Sequence, residues 1–208
     1  MKDFLENRAQ GALDVLHAAE RGPQAGLCCN QCGEVTLEWY RCSDCWISPT
    51  LCRTCLLETH KHNPFHFVEQ WDTRRKFWRR EPLTRIGVTV ELGHEGRRCP
   101  YASATPRTLT VVTENGIHSM KMLFCECRDT DTDVKKPEAT QLLRLGLWPA
   151  SWEYPESAFQ IGTLKVFSLL ANEAHVSAYD YVESLRKKTD FISPGKVQVR
   201  REGTVSIP

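Results

Sequence analysis

Three Cys-x2-Cys steps, Cys29/Cys32, Cys42/Cys45 and Cys52/Cys55, run directly into His60, His62 and His66, and this pattern limits the chain's options more than any other feature. Seven of the ten cysteines lie between Cys28 and Cys55, and the rest follow at Cys99, Cys125 and Cys127. A Cys-x2-Cys step lets one tight turn place two thiolates on a single tetrahedral ion. Three steps supply six sulfurs and two histidines complete eight donors, so the count closes at two zinc ions. A secreted protein could instead join ten cysteines in five disulfides. The first residues, Met1-Lys2-Asp3-Phe4-Leu5-Glu6-Asn7-Arg8, alternate charge with apolar side chains and lack the apolar core of a signal peptide. An intracellular, reducing address is therefore expected, and with it metal rather than disulfides.

Interleaved sites of this type join the first step to the third, and the second step to the histidines. On that reading one ion takes Cys29, Cys32, Cys52 and Cys55, and the other takes Cys42, Cys45 and two histidines. His60 and His66 are chosen, with His62 as the spare; Cys28 is an alternative to Cys29, which gives the standard spacing. Such a cross-brace replaces the core that a short segment is too small to build. Each structural ion then contributes on the order of 10 kcal/mol of folding energy. A further group comprises His94, Cys99, Cys125 and Cys127, with His118 as a competing ligand. Residues two apart on a strand face the same side, so Cys125 and Cys127 can share a third zinc. Catalytic zinc keeps an open position, and these four-donor sets leave none. No catalytic residue, no enzyme activity and no small-molecule substrate is expected.

Around these clusters the periodicity predicts an α+β chain: a small zinc-stabilised cross-brace module, then a small antiparallel β unit, then C-terminal helices. Residues 1–26 form a helix and linker, with Leu5, Ala9, Ala12, Leu13, Leu16 and Ala19 at helical spacing and Gly11 as a weak point. Residues 27–70 hold the cysteine–histidine cluster. Residues 71–128 form the β unit: Ile86, Val88, Val90 and Leu92 alternate as a half-buried strand. Asn115-Gly116 signals a tight hairpin, with His118, Met120, Met122 and Phe124 on one face of the returning strand. Residues 129–190 begin as a polar loop and continue as helices, with Phe159, Leu164, Phe167, Leu170, Tyr181, Val182 and Leu185 as core candidates. Residues 191–208 form a disordered tail. The longest apolar stretches are too short to span a bilayer.

Ordered strings along the chain carry a resemblance. They are Tyr40-Arg41-Cys42-Ser43-Asp44-Cys45, Leu51-Cys52-Arg53-Thr54-Cys55, His60-Lys61-His62-Asn63-Pro64-Phe65-His66, Leu92-Gly93-His94, Cys99-Pro100, Asn115-Gly116-Ile117-His118, Phe124-Cys125-Glu126-Cys127, Gln141-Leu142-Leu143-Arg144, Trp148-Pro149-Ala150 and Ser177-Ala178-Tyr179-Asp180. Collinear over residues 13–190, they resemble the CxC2-like cysteine cluster domains that accompany the Kyakuja-Dileera-Zisupton (KDZ) transposases of fungi. The resemblance implies a zinc-chelating region ahead of a transposase catalytic part, a nuclear location, and His60 and His66 as the recurrent histidines. This chain ends before such a part, and residues 191–208 depart from the pattern, so the segment is not expected to cut DNA alone. The first zinc segment is also similar to ZZ-type and B-box-type fingers, which bind protein tails or partner domains.

Two ligand classes follow. The run Arg74-Arg75-Lys76-Phe77-Trp78-Arg79-Arg80 offers phosphate-neutralising cations, with Arg74, Arg75, Lys76, Arg79 and Arg80 as nucleic-acid candidates and two interleaved rings for bases. The alternative is a protein-interaction module that recognises a peptide tail or assembles a transposase partner. The formal net charge of +1 argues against a dedicated nucleic-acid binder. A ubiquitin-ligase finger fits less well, because its spacing ends in a Cys-x2-Cys pair and not in histidines.

Overall fold

Apolar residues at helical spacing near the N-terminus form two helices in the computed structural model, α1 (Lys2–Asn7) and α2 (Ala9–Ala19), where the sequence predicts one. The structure describes residues 2–23, 27–102, 104–128 and 134–197. The break falls at Arg8, whose backbone leaves the helical region, and Gly11 lies within α2. No α2 residue is buried, and Leu5, Leu13 and Leu16 are exposed. What holds α2 is its C-terminal end. The Arg41 guanidinium donates to the Ala19 carbonyl at 2.9 Å and pairs with Glu20 at 2.8 Å.

The chain folds as two units, Met1–Ile86 and Gly87–Pro208. In the first, β1 (Tyr40–Cys42), α3 (Arg53–Thr59), β2 (Val68–Asp72), β3 (Phe77–Glu81) and α4 (Leu83–Ile86) follow in order. The strands make an antiparallel sheet in the order β1-β2-β3, with Cys42 opposite Val68 and Trp71 opposite Trp78. Adjacent β positions alternate faces. Arg41 therefore meets Glu69 at 2.6 Å and lies 4.6 Å from the Trp78 ring centre, while Tyr40 and Cys42 point the other way and are buried. The basic run is thus the tip and outer strand of a hairpin. Its loop residue Lys76 takes the left-handed backbone (φ 60°) that lets the chain reverse.

In the second unit, β4 (Val90–Glu91), β5 (Arg107–Thr113), β6 (Gly116–Leu123), α5 (Glu138–Arg144), β7 (Leu147–Pro149), β8 (Ser157–Gln160), α6 (Ile161–Ala174) and α7 (Ala178–Thr189) follow. Their sheet has the order β4-β6-β5-β8-β7, and β4 and β8 run parallel to their neighbours β6 and β5. The sheet is mixed where the sequence predicts an antiparallel one. The hairpin β5–β6 is antiparallel as expected, and His118, Met120 and Met122 are buried on one side. Its loop is Glu114–Asn115, one residue earlier than expected, since Gly116 already pairs with Thr113.

Several further expectations change. The alternation from Ile86 to Leu92 is real as burial, since Ile86, Val88 and Leu92 are buried. It is not a strand throughout: Pro82 opens the short α4, Gly87 turns the chain at φ +123°, and only Val90–Glu91 joins the ladder. Residues 71–128 fall in two sheets, because the β2–β3 hairpin pairs with β1. Residues 129–190, read as loop and helix, contribute β7 and β8, which are too short to display a period of two. Phe159 therefore sits on a strand. It packs with Phe167 and Val182 around Val112, Ile117, Tyr181 and Leu185, whereas Leu170 is exposed. Of the tail, residues 191–197 are described: Pro194–Lys196 is a 3-10 turn and Val197 packs on the same cluster. The rest of it, like residues 129–133 of the polar loop, lies outside the described residues. Among the described residues no helix is long and apolar enough to cross a membrane.

Candidate metal centres

The first centre begins with a turn whose Gly33 amide donates to the Cys29 carbonyl at 2.9 Å, at φ +74°, a conformation glycine adopts without cost. That turn sets Cys29 and Cys32 side by side. Cys52 stands at the N-cap position of α3, where its amide donates to Cys29 Sγ at 3.3 Å, and Cys55 lies in the helix's first turn. The donor atoms of Cys29, Cys32, Cys52 and Cys55 all lie within 4.8 Å of one another. Burial raises the Cys29 thiol, but hydrogen bonds from the backbone of Cys32, Cys52 and Gln31 outweigh it and bring the pKa down to about 6. Burial and the neighbouring sulfurs push Cys55 up to about 12. One thiolate forms readily and its neighbours resist a second charge, a conflict that a divalent cation removes.

The second centre uses the far end of the same helix. His60 caps the C-terminus of α3, and Cys42 closes β1. His60 Nε2 stands 3.5 Å from Cys45 Sγ, and His66 Nδ1 stands 3.5 Å from both Cys42 Sγ and Cys45 Sγ. The other nitrogen of His60 lies 3.0 Å from the Leu56 carbonyl, which fixes the ring with Nε2 inward. Burial lowers the His60 pKa, so the imidazole stays in its neutral, metal-binding form. Burial also drives the Cys42 thiol up to about 12. Asp44, inside the Cys42–Cys45 step, accepts from the Phe67 amide at 2.6 Å and ties the knuckle to the strand that follows.

The third centre lies in the second unit. His94 Nε2 is 3.5 Å from both Cys125 Sγ and Cys127 Sγ, and Cys99 Sγ is 3.6 Å from Cys127 Sγ. His94 holds a left-handed backbone (φ 48°) that turns its ring onto the two cysteines. Burial raises Cys99, but N–H groups of Glu126 and Tyr101 and the His94 ring bring it down to about 6. The adjacent Cys99 sulfur, with burial, raises Cys127 to about 11.

These spacings test the fit of a metal. Zinc bonds of about 2.3 Å to sulfur and about 2.05 Å to nitrogen give tetrahedral edges of about 3.6 Å for S···N and about 3.8 Å for S···S. The observed S···N distances of 3.5 Å match, as do the S···S separations of 3.6 Å (Cys99–Cys127) and 3.9 Å (Cys32–Cys52). A disulfide would need about 2.05 Å. All ten cysteines are free thiols. Two thiolate-rich sites and one Cys2His2 site suit zinc.

The structure thus brings together, in three groups of four, Cys29, Cys32, Cys52 and Cys55; Cys42, Cys45, His60 and His66; and His94, Cys99, Cys125 and Cys127. Cys28 and His62 are exposed and stand outside these groups. His118 is not with the third group: its Nε2 lies 3.1 Å from Thr113 Oγ1 and from Asn115 Oδ1, at the β5–β6 turn. Of the basic candidates, Arg74, Arg75 and Lys76 are exposed at the hairpin tip, with the Arg74 and Arg75 amides held by Asp72. Arg79 pairs with the buried Glu81 at 2.6 Å, and the Arg80 guanidinium lies 4.3 Å from the Phe67 ring centre. Three residues quoted only within the strings above support the centres: Asp44 through the Phe67 amide, Gly93 by its close approach to Cys125, and Gln141 by its bond with the Cys125 amide.

Fold and sites together define a mixed α/β protein with cysteine–histidine centres able to hold metal. Residues 83–193 match the family described as CxC2 like cysteine cluster associated with KDZ transposases. The chain belongs to that family. The matched residues contain the third centre and follow the first two. No curated protein and no solved structure matched the chain in the same comparisons.

Proposed function

We propose that the chain is a non-catalytic, zinc-stapled module of a KDZ-transposase-associated protein, acting in the nucleus and binding nucleic acid through the β2–β3 hairpin. The observation that carries the zinc part is the closure of three four-donor sets at tetrahedral spacing. Four protein donors fill a structural site, whereas a catalytic zinc keeps a position for water or substrate. The nucleic-acid part is supported by three exposed cations at the hairpin tip. Asp44 and the Cys42–Val68 pairing fix the hairpin's root to the second centre, and Asp72 holds its loop. Phe77 is the ring this hairpin leaves exposed, since Trp78 packs edge-on against Trp71 under Arg41.

Each phosphate neutralised contributes roughly 0.9 to the slope of log affinity against log salt on duplex DNA. The triple variant Arg74→Ala, Arg75→Ala, Lys76→Ala should therefore flatten that slope by about 3. Fluorescence anisotropy with a labelled duplex across a salt series measures it. Absent binding, or a slope unmoved by the three substitutions, would overturn the nucleic-acid reading. A second reading, a ZZ-like or B-box-like protein-interaction finger, is favoured by Trp46 and Ile47. They stand 99% and 76% exposed beside the Cys45 knuckle, as an anchor for a partner would.

A further inference from the structure

The string Gln141-Leu142-Leu143-Arg144 has no place in either reading above, yet Gln141 is 4% exposed on α5, a depth at which a polar side chain needs partners. Its carboxamide meets the third centre's backbone. Gln141 Oε1 accepts from the Cys125 amide at 2.8 Å, and Gln141 Nε2 donates to the Cys125 carbonyl at 3.0 Å. A second Nε2 donation, 3.2 Å to the Lys136 carbonyl, fixes the amide's orientation from the other side. β6 ends at Leu123, so the Cys125 N–H and C=O have no partner strand, and the glutamine amide supplies the two bonds a strand would have given.

We infer that Gln141 is a positioning residue for the third metal ion, which it never touches. By holding both polar groups of Cys125's backbone, it sets the direction of the Cys125 side chain and the path into Cys127. The inference rests on the zinc reading of His94, Cys99, Cys125 and Cys127. Partners that orient metal ligands from outside typically govern affinity by about 10–100-fold.

The test uses the full chain, reduced, in zinc-buffered solutions, with bound ions counted by native mass spectrometry. Gln141→Met keeps length and volume but offers no hydrogen bond. It should raise the free zinc needed to fill the third site by about 10–100-fold and leave the first two ions unmoved. Leu142→Ala is the control: Leu142 is fully buried on the same helix, so its loss weakens α5 packing while Gln141 keeps both hydrogen bonds to the Cys125 backbone. It should shift third-site filling by less than about threefold, well below the effect of an orienting partner. Amide exchange at Val111 and Met120 checks that both variants keep the β5–β6 hairpin. Three ions in the wild type with an unmoved midpoint in Gln141→Met would overturn Gln141's role alone, as would an equal shift in Leu142→Ala. A wild type that takes only two ions at any free zinc would overturn the third centre and Gln141's part in it together.

Discussion

His60→Ala should unfold the first unit at ordinary temperature. His60 is 2% exposed, presents Nε2 to Cys45, and is held by the Leu56 carbonyl through its other nitrogen. Alanine removes one of four donors and leaves a cavity where an imidazole stood. A structural zinc contributes on the order of 10 kcal/mol to folding, and a whole domain is stable by only about 5–15 kcal/mol. The first unit has little else to draw on, since its sheet has three strands and α2 buries nothing. The loss also spreads to the first centre, because α3 carries Cys52 and Cys55 at its start and His60 at its end. Hydrogen exchange should show protection lost at Tyr40, Leu56 and Val68 and kept at Leu109, Val111 and Met120. Unchanged protection at Leu56 would mean that the second centre does not organise this unit.

Gly93→Ala should weaken the third centre's hold on its ion and leave the other two unmoved. A Cβ at position 93 would stand 2.7 Å from Cys125 Cβ and 3.3 Å from its Sγ, closer than packed carbons approach. Gly93 has an extended backbone (φ −138°) that any residue adopts, so the conflict is one of space alone. The intruding methyl either pushes Cys125 away from His94 or shifts His94, which already holds a left-handed backbone. Over-packing of this kind typically costs about 1–3 kcal/mol, and sub-ångström ligand displacement costs metal affinity as well. In zinc-buffered solution, native mass spectrometry should show the third ion binding only at about 10–100-fold higher free zinc, and the second unit should melt earlier. An unmoved filling midpoint with an unchanged melting temperature would show that the close approach of Gly93 to Cys125 is not a constraint.

Much of the grouping of the candidate ligands was legible because ligand spacing is local. Cys-x2-Cys steps and Cys125-x-Cys127 set donors side by side whatever the rest of the chain does, and the structure gathers the same twelve residues into three groups. The β5–β6 hairpin was legible for a similar reason, with its turn signal and its alternation adjacent in sequence. What could not be read depends on distant partners. β8 is four residues long and becomes a strand only beside β5. The residues from Ile86 to Leu92 alternate as a strand does, but Pro82 and Gly87 leave two of them in the ladder. Gln141 reads as an ordinary helical residue until its partner, sixteen positions earlier, is known. Phe77 and Trp78 look equivalent in the basic run, yet the sheet packs one ring against Trp71 and exposes the other.

The most direct test of the account is the number of zinc ions on the reduced chain, read by native mass spectrometry before and after chelation and paired with amide exchange. Three ions are expected, and the stripped protein should lose protection throughout the first unit. A chain that binds no metal, or that keeps that protection once every ion is gone, would contradict it.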